Sequence, residues 1–381
     1  MGYRIYFTFI FLCFSLSING QELNPGFRSY FIEDGLSQST VYAIHKDKTG
    51  FVWLGTRDGL NRFDGQQFKH FYPDVNNPNA LSNRTIRAIS ETPDGILWIG
   101  TDGGGVDRFN PYTGDFENIC KLEQQRDCIE NLHVLSLWTD DSLLWIGTRN
   151  NGLLKYDTLN GTLIKVLSAS GIWEIKGVNE SELFLATEHG FIVLQNGVPT
   201  TYLGNEDVRA LYVDDELHKI WTGTVTNGLF LFDTITRTIE RHPEKALSQL
   251  TKHPISSISK TGNHYWIGTL EDGILLFSPS QTEEWVKYDR YNPKSIAGNA
   301  IRNLYKDNTG MMWIGTNSSG FSNYSPFRFL FRHIAGNAEN LVPESNSVLC
   351  FEELASGEII VGTERGGLFF YNTKTYCRAG W

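Results

Sequence analysis

The sequence predicts an all-β protein: a seven-bladed β-propeller of four-stranded antiparallel blades, followed by the first blade of an incomplete second propeller. One observation is a short motif that recurs at Trp53 (WLGT), Trp98, Trp145, Trp266 and Trp313 (WIGT) and Trp221 (WTGT), with degenerate copies at Phe184 (FLAT) and Ile360 (IVGT). Another is its spacing, about 37 to 47 residues, the length of four short strands with their turns. The last is a constant order within each copy: an alternating apolar strand, a polar turn, the motif strand, a glycine turn, a third strand and a fourth. Helical periodicity is nearly absent.

The copy from Asp94 to Phe109 (DGILWIGTDGGGVDRF) shows the logic. Strand a runs from Thr85 to Ser90, Pro93-Asp94-Gly95 turns the chain, the WIGT segment is strand b, and Val106 to Phe109 is strand c. Side chains two apart on a strand share a face, so Trp98 and Gly100 point one way and Ile99 and Thr101 the other. A large indole beside a vacant position lets a neighbouring sheet approach closely. The tryptophans are therefore read as core, with no ligand assigned to them.

In chain order, Met1 to Gly20 reads as a secretory signal peptide. Arg4 precedes an apolar run from Ile5 to Ile18, shorter than the roughly 18 to 20 residues of a bilayer span, with an uncleaved anchor as the alternative. That predicts a periplasmic location. A net charge of −10 excludes an extended nucleic-acid surface. Five cysteines are too few for a disulfide scaffold. Cys13 leaves with the signal, and Cys350 aligns with Ala43, Ala88 and Ala210 as a small core residue. Cys120 and Cys128 either pair or stand as two free thiols.

Phe27 to Ile32 (FRSYFI) precedes the first strand a and resembles the fourth strands at Phe68, Thr238 and Glu284. It is expected to complete the seventh blade, whose other strands come from Ile301 to Tyr324, because closing a ring removes exposed edges. Phe327 to His333 resembles a second closing strand. The expected organisation is thus a signal peptide over 1–20, a ring over 21–325, and the start of a second propeller, truncated, over 326–381. One blade cannot bury both its faces, so the residues after about Asn337 should be the least stable.

The repeats resemble the two-component regulator propeller repeats of the periplasmic sensor regions of hybrid two-component regulators. The segments that carry the resemblance are VYAIHKDKTGFVWLGTRDGLNRFD at Val41, IRAISETPDGILWIGTDGGGVDRF at Ile86 and IRNLYKDNTGMMWIGTNSSGFSNY at Ile301, with the linkers NPNALSN at Asn77 and NPKSIAGN at Asn292. The resemblance implies two propellers and a β-sandwich before a membrane helix, kinase, receiver and DNA-binding domain. It also implies recognition of an oligosaccharide. Membrane contact and signalling output would lie in parts absent from this chain, and dimerisation of a full-length relative is left open.

Chemistry beyond binding finds little support in the motifs. Gly103-Gly104-Gly105 lies between strands, so a hairpin turn is expected and not a phosphate loop. Asp47-Lys48-Thr49-Gly50 and Asp307-Asn308-Thr309-Gly310 lack the closing Glu of a calcium loop and sit where each copy turns from strand a to strand b. No cofactor or metal is expected.

Variation between copies is more informative, because what differs at equivalent positions is not required by the fold. Strand a lines the channel, and its second position reads Tyr42, Arg87, Leu135, Trp173, Arg209, Ser256 and Arg302 around the ring. The b–c turns beside it bring Arg57 and Asp58, Asp102, Arg149 and Asn150, Glu188 and His189, Asn227, Glu271 and Asp272, and Asn317. Charged groups, amides and flat rings together suit a sugar, and three arginines on an acidic protein suit an anionic one. The candidate ligand-binding residues are Tyr42, Arg57, Asp58, Arg87, Asp102, Arg149, Trp173, Glu188, Arg209, Arg302 and Asn317. A non-catalytic sensor is the favoured class. A propeller enzyme such as a lyase, with His189 beside Glu188 as its weak local candidate, and a protein-binding propeller remain as alternatives.

Overall fold

The computed structural model describes residues 26–119, 131–279, 283–326, 347–356, 358–364, 367–372 and 378–380. The expected signal peptide, the Cys120 and Cys128 pair and the strand anticipated at Phe327 to His333 lie outside the described residues. The chain divides into two compact units that part between Pro326 and Phe327.

The first unit is a seven-bladed propeller of four-stranded antiparallel sheets. Its a strands are Val41–Lys46, Ile86–Glu91, Val134–Asp140, Ile172–Asn179, Val208–Asp214, Ile255–Thr261 and Ile301–Lys306. Each lies against the a strands of the blades on either side, Val41–Lys46 against Ile301–Lys306 included, so these strands form the innermost ring. The motif strands, from Val52–Thr56 to Met312–Thr316, are the b strands.

Ring closure follows the sequence expectation. Arg28–Tyr30 pairs antiparallel with Phe321–Tyr324, with Tyr30 opposite Phe321. Tyr30 stacks on Phe321 at 4.9 Å and meets Phe63 of blade 1 edge-on at 4.9 Å. One β-strand thus bonds to blade 7 through its backbone and packs on blade 1 through its side chain.

A separate apolar cluster fills each interface between adjacent blades. The motif tryptophans are buried, Trp53 completely and Trp98 at 2% exposure. Trp98 packs toward Val134 and Leu144 of the following blade, whereas Ile99 packs toward Trp53 of the preceding one. The motif glycine faces the first residue of the next blade's strand a. A Cβ on Gly55 would stand 2.7 Å from Ile86 Cγ2, on Gly100 2.6 Å from Val134 Cγ1, and on Gly268 2.8 Å from Ile301 Cγ2. Blade spacing is therefore set by a β-branched side chain seated on a glycine. Blade 4 departs from this, as its FLAT sequence requires: Ala186 takes the glycine position, and Phe184 joins Phe191, Tyr202 and Phe232 in an aromatic group.

The other constant residues close turns. Each motif threonine donates its hydroxyl to the carbonyl of the glycine that ends the b–c turn, as Thr101 to Gly105 at 2.9 Å and Thr316 to Gly320 at 2.8 Å. Asp47 Oδ1 accepts the Thr49 and Phe51 backbone N–H groups, while its Oδ2 accepts the Trp53 indole N–H at 2.7 Å. Asp307 repeats this with Trp313 at 3.0 Å. These aspartates cap turns and anchor the indoles. The triple glycine is likewise a b–c turn between Leu97–Thr101 and Val106–Phe109, with Gly103 and Gly105 in the left-handed region.

The second unit contains one antiparallel sheet in the order Val348–Glu353, Glu358–Thr363, Gly367–Asn372 and Arg378–Gly380. Its register repeats that of the ring, with Cys350 opposite Gly362 as Ala43 is opposite Gly55. The expectation that Cys350 is a core residue fails. It is an exposed free thiol, because Val348–Glu353 is exposed along its whole length.

Candidate functional site

In every blade of the ring the a–b ladder slips by one residue at the same place. The slip falls between Val41 and Ala43, Ile86 and Ala88, Val134 and Ser136, and Ile172 and Glu174. It recurs between Val208 and Ala210, Ile255 and Ser257, and Ile301 and Asn303. The residues skipped are Tyr42, Arg87, Leu135, Trp173, Arg209, Ser256 and Arg302, the positions singled out by their variation. A β-bulge leaves its extra residue unpaired and re-aims its side chain. Seven bulges in register on seven adjacent central strands gather these side chains at one end of the channel.

The b–c turns are fastened to the same end. The first turn residue donates its backbone N–H to the residue just before strand a of its own blade: Asp102 to Thr85 at 2.9 Å, Arg149 to His133 at 2.9 Å, Glu188 to Gly171 at 3.1 Å and Asn317 to Ala300 at 2.8 Å. This recurrent bond brings turn side chains beside the bulges.

Contacts then join the candidates into two groups. In the first, the Arg87 guanidinium lies over the Tyr42 ring at 4.1 Å, and that of Arg302 approaches the same ring at 5.9 Å. Arg87 Nε and Nη2 donate to Asp102 Oδ2 at 3.0 and 2.8 Å. Asp102 also lies 2.6 Å from His133 Nδ1 and 3.5 Å from Arg149 Nη2. Burial acts to raise the Asp102 pKa, but the hydrogen bonds from His133 and Arg87 and the nearby cations outweigh it and hold the carboxyl below its ordinary range. Arg302 donates from Nε to Asn317 Oδ1 at 3.0 Å.

The second group is Trp173 and Arg209. The guanidinium lies 4.2 Å from the indole centroid and is held by Asp207 through Nε at 3.0 Å and Nη2 at 2.7 Å. Trp173 Nε1 and Arg149 Nε are buried and have no hydrogen-bond partner among the described residues. The groups meet at Arg302. Burial lowers its pKa, the Tyr42 hydroxyl opposes this, and the positive charges of Arg87 and Arg209 push it further down.

Not every candidate joins. Arg57 is exposed, and Asp58 turns away to pair with Arg84 at 3.0 Å on the rim, where solvent screens the interaction. Glu188 is exposed beside Gly171, and His189 beside it is exposed as well. Sequence reasoning missed His133 and Asp207. Both immediately precede strand a, so comparing copies at that position would have found them.

Comparison with known proteins places the repeats. Residues 35–58, 80–103 and 295–318 match the family of two-component regulator propellers. Three segments of the chain thus match two-component regulator propeller repeats. The matched repeats belong to blades 1, 2 and 7, which adjoin one another across the closure, and they contain Tyr42, Arg57, Asp58, Arg87, Asp102, Arg302 and Asn317. Trp173 and Arg209 lie outside them.

A stretch of 74 residues, 19% of this chain, is 45% identical to Histidine kinase P4 of Formosa agariphila and spans 5% of that protein. The structure resembles the extracellular domain of a hybrid two-component system of B. thetaiotaomicron, with 23% identity and a TM-score of 0.68, over 93% of this chain and 54% of that one. A second such domain from B. thetaiotaomicron gives 20% identity and a TM-score of 0.64, over 93% of this chain and 47% of that one. The chain spans about half the length of these domains, and at such identities the likeness shows the fold.

Proposed function

We propose that this chain is the ligand-sensing propeller portion of a longer, extracytoplasmic two-component regulator, and that it recognises an oligosaccharide at the channel end that carries the seven bulges. The observation behind this reading is the bulge ring itself. The fold supplies one unpaired side chain per blade at a common height, and this chain fills those positions with two aromatic residues and three arginines. Aromatic rings suit the apolar faces of sugar rings, and guanidinium, carboxylate and amide groups suit paired hydroxyls.

Kinase output, membrane attachment and periplasmic placement belong to this proposal for the longer protein, as does the reading of the second unit as the opening blade of another ring. The site is read as non-catalytic. Its His133–Asp102 pair is already engaged by Arg87 and Arg149, which hold the carboxylate as an anion and leave it a poor proton carrier.

Calorimetric titration of the purified chain against a panel of oligosaccharides tests the reading. For a glycan that binds, Trp173→Ala and Arg209→Ala should each weaken affinity about tenfold, the loss expected for one hydrogen bond or ring contact to a charged or desolvated group. The unfolding midpoint should move little, since both side chains sit at the channel end. Unchanged affinity in both variants would place the site elsewhere, and turnover of the glycan would favour an enzyme.

A further inference from the structure

The three arginines of the bulge ring are not equivalent. Arg87 and Arg209 each bind a carboxylate through two nitrogens, Asp102 and Asp207 respectively. Arg302 has no such partner among the described residues: its Nε–H goes to the neutral amide oxygen of Asn317 at 3.0 Å. That bond fixes the plane of the guanidinium and leaves both Nη groups uncommitted. Arg87 and Arg209 lie close enough to repel it, while the Tyr42 hydroxyl acts in the opposite direction. Asp102 does not restore the balance, because its single charge is shared by Arg87, Arg149 and His133.

A half-buried cation among cations is unfavourable unless a counter-ion arrives. Ser256, a small residue, holds the bulge position between those of Arg209 and Arg302 in the ring. The free edge of Arg302 is a planar pair of N–H donors, the match for the two oxygens of a planar carboxylate.

We infer that Arg302 binds the carboxylate of an acidic sugar, so that the ligand is an oligosaccharide containing a uronic acid. This rests on the oligosaccharide reading above and adds its charge and its point of contact.

The experiment compares acid and ester. The intact chain is titrated with oligogalacturonate, oligomannuronate and hyaluronan oligosaccharides, each beside its methyl ester, which keeps the backbone and removes the charge. In at least one pair the acid should bind about tenfold more tightly or better. Arg302→Gln should abolish that preference by lowering the acid's affinity more than the ester's, and Arg302→Lys, which keeps the charge without the planar fork, should restore only part of it. Thermal melts of both variants check that the ring is intact.

Equal affinity for acid and ester in every pair overturns the inference, as does a preference that survives Arg302→Gln. If neutral oligosaccharides bind in a Trp173-dependent way while no acid is preferred, the carboxylate contact fails and the oligosaccharide site stands. If neither these probes nor a neutral panel bind, both fail.

Discussion

At the scale of single residues, the fold rests on a glycine opposed by a β-branched side chain. Adding a Cβ at Gly100 would drive it to 2.6 Å from Val134 Cγ1, so Gly100→Ala should cost about 1 to 3 kcal/mol as an overpacked core. Val134→Ala should recover part of that loss in the double variant, and urea midpoints of the three proteins check it. Blade 4 shows the permissive alternative, with Ala186 already against Val208. A second residue-scale prediction concerns His242, which tilts over Trp221 at 4.7 Å and whose pKa burial pushes down to about 4. An unfolded histidine takes up a proton below about 6.5 and the folded one only near 4, so stability should fall as pH drops through that window. Solvent reaches part of the ring, so the slope should stay well below the ~1.4 kcal/mol per pH unit of a fully enclosed group. His242→Phe should flatten it between pH 7 and 5.

At the scale of elements, closure depends on Arg28–Tyr30. Removing the chain through Phe31 should expose the Phe321–Tyr324 edge and the blade 7 to blade 1 interface together. Tyr30→Ala isolates the packing part of that loss, at roughly 3 kcal/mol or more for a buried aromatic. Hydrogen exchange at Phe321–Tyr324 should accelerate in both variants; protection equal to wild type would mean that the ring does not rely on this strand. The strand was legible in the sequence because FRSYFI shares the composition of the other fourth strands. The bulge in strand a was not, because strict period-2 alternation carries no mark of an extra residue. Its position was reached only indirectly, through variation between copies.

At the scale of the molecule, the two units make opposite predictions. Val41, the first residue of its strand a, is fully buried, whereas its counterpart Val348 in the second unit is 56% exposed. The Val348–Glu353 strand should therefore exchange its amides faster than Ile86–Glu91. Comparable protection in the two strands would show that the second unit's sheet is stabilised in some other way. Charge is also uneven at this scale. A chain with a net charge of −10 brings Arg87 and Arg209 within electrostatic reach of Arg302 at one channel end, a local concentration of positive charge that the overall figure hides.

Local periodicity and repetition were enough to determine blade number, strand order, ring closure and the burial of the tryptophans. Those features depend on which residues share a face and on how often the unit recurs, and both are written along the chain. Tertiary structure alone decided which charges are already neutralised. The Asp207–Arg209 pair is local, two residues apart, but Asp102 serves a histidine and an arginine of the next blade and Asp58 leaves the site for Arg84. Partner choice of this kind is set by distances between loops that the ring brings together, and so Arg302 is distinguished from Arg87 and Arg209 only once the seven blades are closed around one axis.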